Sequence, residues 1–316
     1  MTRTKLFTAI LVTVILQAST LAWGAESLQK IRVGFPSLAF SYLPYYVAHE
    51  KGFLKKHNLE AEYIQMRTTI QPSAVINGNI NFFPSVSTGM SGAASGLPLV
   101  VVLNFYNGAP WMLVTNKEIN KPQDLIGKTV AVSGLRTAPH LFLQAALKKW
   151  EIPEKDISII STGGTSDSFM ALASKQVVGT VLTPPFDDKA VSIGFKKFMF
   201  LGDLADIPYV GVMTSQNEIK NNRETIRRTL AALMESVAWI RANREESVKM
   251  IVGKFKVNQI EAEGTYATLV KMLNNDGRLN PKVARGYIDL LRQDRPIPAD
   301  FDPQKIVDLS MLPAAR

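Results

Sequence analysis

The sequence predicts an α/β protein of two lobes joined by a hinge, with a ligand cleft between them. Three observations carry that expectation. Short apolar, strand-like runs alternate with helical stretches through residues 31–214, and the alternation gives way to helix alone near residue 215. Two breaks in composition, FYNGAP within residues 104–110 and DIPYVG within 206–211, bracket a middle α/β block of about a hundred residues. A chain that crosses twice builds one lobe from residues 25–108 and 211–316 and the other from residues 109–210. The hinge is expected at the crossings.

Residues 31–36, IRVGFP, read as the first strand. Pro44 then suits a first helical turn, Leu43, Tyr46 and Val47 recur at i, i+3 and i+4, and Gly52 is placed to end the helix in the left-handed conformation. A strand at 61–65 completes a parallel βαβ unit. The loop after its first strand therefore lies at the carboxyl edge of an open sheet, where this architecture holds ligands. That loop carries Ser37, Phe40, Ser41 and Tyr42.

Further strands are expected at 80–83, 99–104, 111–115, 129–133, 157–161, 178–182, 197–201 and 210–214, with helices at 139–150, 166–173 and 186–193. Beyond residue 215, Ile226, Leu230, Leu233, Val237 and Ile240 recur at intervals of four and three, one face of a long helix. Asn221 with Glu224 reads as a capping box at its start. Helices at 245–254, 259–273, 281–292 and 303–310 follow.

The first 24 residues predict export. Arg3 and Lys5 precede the apolar residues 6–16, and Ala22-Trp23-Gly24 supplies the small residues of a cleavage site before Ala25. Eleven mainly apolar residues fall short of the roughly 20 that span a bilayer. Formal net charge is +9 over the chain. Without a dense Lys/Arg run, that balance favours solubility or anion steering over nucleic-acid binding. The chain has no cysteine, which removes thiol catalysis, thiolate metal sites and lipid attachment. His49, His57 and His140 are not spaced as a metal cluster, so neither a metal nor another cofactor is expected.

Arg136 is the sharpest single candidate for a ligand contact. It precedes Thr137-Ala138-Pro139, a cap and first helical turn, where free N–H groups and a guanidinium together suit an acid group. Ser87 and Thr88 stand at a second helix start, where hydroxyls and backbone amides complement Arg136 from the other lobe. Phe40, Tyr42, Phe105, Tyr106, Trp111 and Phe186 are compatible with an aromatic or extended apolar ligand; Phe40 or Tyr42 is read as a cleft wall, and Trp111 as core or hinge packing. Gly163 and Gly164, flanked by Thr162 and Thr165, offer a loop near the cleft.

Four segments, LPYYVAHEKGFLKKHNLEAEYI, PSAVINGNINFFPSVSTG, KPQDLIGKTVAVSG and ALASKQVVGTVLTPPFDDKA, occur in this order behind the leader. Together they resemble the type II periplasmic solute-binding proteins of ABC importers, in the nitrate, taurine, alkanesulfonate and thiamine-pyrimidine (NMT1/THI5-like) branch. The resemblance implies a periplasmic-binding-protein fold and a soluble monomer that hands a small solute to an inner-membrane permease driven by a separate ATPase. The positions it implies for ligand contact are Phe40, Ser41, Tyr42, Thr68, Thr69, Ser87, Thr88, Arg136, Thr137, Pro185 and Phe186. Many similar proteins place an acidic residue before that last proline, and this chain has Pro184. An amine-bearing ligand is thereby disfavoured, leaving a small organic anion such as a sulfonate as the expected solute and a pyrimidine-like or aromatic heterocycle as the alternative. An exported sensor and a pyrimidine-synthase-like enzyme are the rival classes. The enzyme is disfavoured because Thr88 stands where the similar synthases carry histidine.

Overall fold

In the computed structural model of the protein, the described residues are 27–314 apart from Asn107, Asp203, Ala205, Asp206 and Asp294. The expected leader, residues 1–24, lies outside them. Four strands come first: β1 (Gln29–Phe35), β2 (Leu59–Gln65), β3 (Phe83–Ser85) and β4 (Leu99–Asn104). The chain then crosses to β5 (Met112–Thr115), β6 (Thr129–Val132), β7 (Ser158–Ser161), β8 (Gly179–Leu182) and β9 (Lys196–Phe200), and crosses back to β10 (Val210–Ser215).

The two lobes repeat one topology. In the second lobe the order is β7-β6-β8-β5-β9, with β5 antiparallel to both neighbours. In the first lobe, β2 pairs with β1, a Val33–Phe82 bridge ties β1 to the segment entering β3, and β3-β10-β4 follows with β10 antiparallel to both neighbours. Each crossing delivers the one reversed strand of the lobe it enters. At the second crossing Gly211 is required, because a Cβ there would lie 2.0 Å from the Leu103 carbonyl oxygen.

In the first lobe the helices are α1 (Leu43–Glu50), α2 (Phe53–Lys56), α3 (Gln71–Ile76) and α4 (Val86–Ala94). The second lobe contributes α5 (Ala138–Lys149), α6 (Thr165–Ala173) and α7 (Phe186–Ser192). After β10 come α8 (Gln216–Ala242), α9 (Arg244–Phe255), α10 (Gln259–Met272) and α11 (Pro281–Leu291). Pro44 lies in the first turn of α1, and Gly52 has φ +77°, the left-handed geometry its position predicts. The stripe Ile226, Leu230, Leu233, Val237 and Ile240 is buried in the main core. Each such side chain contributes about 1.5 to 3 kcal/mol. Among the described residues, no helix is long and apolar enough to cross a membrane.

Three expectations need correction. The Asn221–Glu224 capping box does not start the long helix: Ser215 caps it, accepting from the Glu218 amide. Asn222 instead interrupts the helix with non-helical angles, and the Glu224 carboxylate is taken by Arg227. The strand expected at 80–83 is β3 at Phe83–Ser85 instead, because β10 pairs with Phe83 and Ser85, while Phe82 makes a single parallel bridge to Val33. The helix expected at 303–310 is a single 3-10 turn, Pro303–Ile306, followed by extended Val307, which bridges Val101 on β4.

Candidate functional site

A cavity lies between the lobes, at the carboxyl ends of the parallel strands, where open α/β sheets place ligands. The loop after β1 supplies Pro36, Ala39, Ser41 and Tyr42, and the loop after β2 supplies Thr68. Ser85, Ser87 and Thr88 come from the β3–α4 junction. The second lobe closes the other side with Ser133, Thr137, Ala138 and Pro139 after β6 and Thr165 after β7. Trp111 and Tyr209, one beside each crossing, complete the wall, and their rings meet edge to face at 5.3 Å. The cavity encloses about 40 Å³, where one water takes about 10 to 15 Å³. It fits a compact group of a few atoms.

No charged side chain lines this cavity. Its polarity comes from hydroxyls, the Trp111 indole N–H and helix ends. Thr88 Oγ1 and Trp111 Nε1 are buried without a hydrogen-bond partner, a state that costs free energy until something pairs with them. Tyr209 is buried at the cavity, its hydroxyl beside those of Ser41 in one lobe and Thr183 in the other. Burial pushes its pKa up to about 12, although those two hydroxyls pull it down, and burial likewise raises Tyr42. Both phenols are therefore neutral donors at ordinary pH.

Three helices begin at the cavity, and none of their N-cap side chains takes a first-turn amide. Ser85 before α4 makes no capping bond, Gly164 before α6 has no side chain to make one, and Thr137 before α5 donates its hydroxyl to the Gly134 carbonyl instead, at 2.7 Å. Ser215, Asn258 and Asn280 accept from first-turn amides of α8, α10 and α11, whereas α1, α2, α3, α7 and α9 also start without a side-chain cap, so it is the meeting of three such starts at one cavity that sets it apart. Orphan N–H groups and the positive ends of three helix dipoles thus face one small space. Such an arrangement binds an anion without a cationic side chain.

The expected site residues divide. Ser41, Tyr42, Thr68, Ser87, Thr88 and Thr137 meet at the cavity wall. Ser87 and Thr88 lie inside the first turn of α4, with Ser85 at the cap position. Phe40 is buried in the main core, and Thr69 is exposed on the far side of its turn. Pro185 follows a cis peptide bond, and Phe186 packs on Phe169 at 5.7 Å in the core of the second lobe. Arg136 is exposed and absent from the wall, with φ +59°. Its amide donates to His140 Nδ1 at 3.1 Å, which leaves Nε2 of that imidazole to donate to Glu154 at 3.2 Å. Sequence reasoning missed Tyr209, Ser133 and the cavity face of Trp111. An aromatic residue at each crossing was the available signal.

A model of the NMT1/THI5-like family matches residues 39–247. A Brucella abortus chain named "Putative binding protein" is 25% identical over 295 residues, covering 87% of this chain and 88% of its own. The riboflavin-binding protein RibY of Chloroflexus aurantiacus is 23% identical over 67% of this chain and 64% of its own. Among solved structures, the alkanesulfonate-binding protein SsuA of Xanthomonas axonopodis pv. citri, bound to MOPS, superposes with a TM-score of 0.74 at 15% identity, covering 90% of this chain and 99% of that one. The nitrate-binding protein NrtA of Synechocystis also gives 0.74, at 14% identity over 90% and 87%. These likenesses show the periplasmic-binding-protein fold.

Proposed function

Because the chain belongs to the NMT1/THI5-like family, we propose that it is the non-catalytic solute-binding component of an ABC import system, capturing a small organic anion such as a sulfonate by closing its lobes. It works in the periplasm as a monomer once the leader is removed near Ala25, and presents its solute to a membrane permease whose ATPase is a separate chain. The observation that carries this reading is the convergence of three uncapped helix starts, from both lobes, on a compact cavity. An anion seated there touches donors of both lobes only when they are together, so its binding energy favours closure. A second reading, a pyrimidine-like heterocycle, draws on the rings of Tyr42, Trp111 and Tyr209 in the wall.

Thermal melting with ethanesulfonate, nitrate and a hydroxymethylpyrimidine tests both. A ligand at 100 times its Kd adds about 2.7 kcal/mol of stability. Stabilisation by the anions, with compaction in small-angle scattering, supports the first reading. Stabilisation by the pyrimidine alone replaces it with the second, and no stabilisation by any of the three overturns both.

A further inference from the structure

We propose that Arg295 is a latch that holds the lobes closed, a positioning residue for the cavity that never touches the ligand. The inference rests on the clamp reading above and adds what keeps the clamp shut. The Arg295 guanidinium donates to Ser91 Oγ on α4, in the first lobe, and to the Arg136 carbonyl oxygen at 3.4 Å, in the second. These are the two helix starts that face each other across the cavity: Ser91 lies one turn beyond Ser87 and Thr88, and Arg136 immediately precedes Thr137. One planar, always-charged fork therefore joins the two anion-facing helices from behind.

Its acceptors are held in place. The left-handed backbone of Arg136, unfavourable for a residue with a Cβ, is secured on both sides by the amide bond to His140 and the Thr137 hydroxyl bond to Gly134. On the other lobe, Tyr287 from the same C-terminal segment grips the first turn of α4 by donating to the Ser87 carbonyl. Gln293 accepts from Lys148 in the last turn of α5, at 3.3 Å, so one short strip of chain holds α5 near both ends. Lys189 also crosses between the lobes, to the Phe255 carbonyl. That contact touches neither of the two helix starts.

The natural chain has no cysteine, so labels can be placed at will. Spin labels on Lys55→Cys and Lys155→Cys, exposed positions in opposite lobes, report the inter-lobe distance by pulsed electron resonance. The ligand-free labelled protein is expected to hold a short-distance population, which Arg295→Gln lowers at least threefold and Arg295→Lys lowers less. Ser91→Ala, which removes one acceptor and leaves the guanidinium intact, is expected to lower it as well, and serves as the second variant should Arg295→Gln fail to melt cooperatively. A ligand-free parent that is wholly open, or variants that leave the distribution unchanged, overturns the latch. Ethanesulfonate separates the two claims. If it fails to bind the parent, the anion reading falls while the distance result still decides the latch; if it binds the parent and leaves Arg295→Gln at the parent's rate, the latch is overturned.

Discussion

The hydroxyl of Tyr287 donates a 2.9 Å hydrogen bond to the carbonyl oxygen of Ser87, two hundred residues earlier in the chain. The side chain is fully buried, and burial raises its pKa well above the ordinary phenol value. Its role is to fix the first turn of α4, whose other side forms the cavity wall. Tyr287→Phe keeps the ring and leaves the Ser87 carbonyl without this donor. The expected cost is about 1 to 2 kcal/mol, a fall of about 2 to 4 °C in Tm per kcal/mol in a domain of this size. Melting of the ligand-free protein measures it, and an unchanged Tm would show the bond to be energetically idle.

Thr88→Val separates function from stability. The Thr88 hydroxyl is buried and unpartnered, so the isosteric valine should leave the ligand-free protein as stable as the parent or up to about 1 kcal/mol more stable. Affinity for the anion should fall about tenfold, the 1.4 kcal/mol of one lost hydrogen bond. Calorimetry and melting on the same preparation check both halves. Loss of stability with unchanged affinity would assign the hydroxyl to the fold.

Arg136→Ala should change affinity by less than about 0.5 kcal/mol, as expected for an exposed side chain away from the wall. A loss of about 1.5 to 3 kcal/mol would instead put the guanidinium on the ligand. Arg136→Gly, which suits φ +59°, should raise Tm slightly and keep the backbone bond to His140.

Asp187 gives a pH dependence of definite sign. It is buried; its Oδ2 pairs with Lys197 at 2.8 Å, and its Oδ1 has no partner. Burial raises its pKa above 3.8, the Asp188 charge adds to the rise, and Lys197 opposes it. A carboxyl whose pKa is higher folded than unfolded contributes stability that is complete below the unfolded value and lost as pH rises through the folded one. The stability of Asp187→Asn relative to the parent should therefore increase as pH climbs from about 3.8 and then level off. Urea titrations from pH 3.5 to 7 follow the difference, and a flat difference would remove Asp187 as its source.

Most of the fold was legible because runs such as LVVVLN in β4 and the four-three stripe of α8 state their period in a few residues. What escaped was set by partners distant in sequence. The third strand sits at Phe83–Ser85 because β10, more than a hundred residues later, pairs with it, and Val307 is extended where it bridges Val101 on β4. In the site, hydroxyl residues at strand ends were readable: Ser41, Thr88 and Thr137 follow from strand, loop and helix order, and Thr68 from the family resemblance. Whether Phe186 or Tyr209 reaches the cavity depends on packing: Phe169 claims the first, and Trp111 turns the second inward. Local spacing holds no record of either.

The reversed strand in each sheet bears on how the molecule is made. β10 separates β3 from β4, yet it is synthesised more than a hundred residues after β4, once the whole second lobe has been produced. The second lobe has all five of its strands as soon as β9 exists, whereas the first is left with two unzipped edges until β10 arrives. The inserted lobe is therefore positioned to fold first and to bring the ends of its host together. A chain stopped after β9 would keep one finished half and one half with sticky edges, the part a chaperone would have to guard.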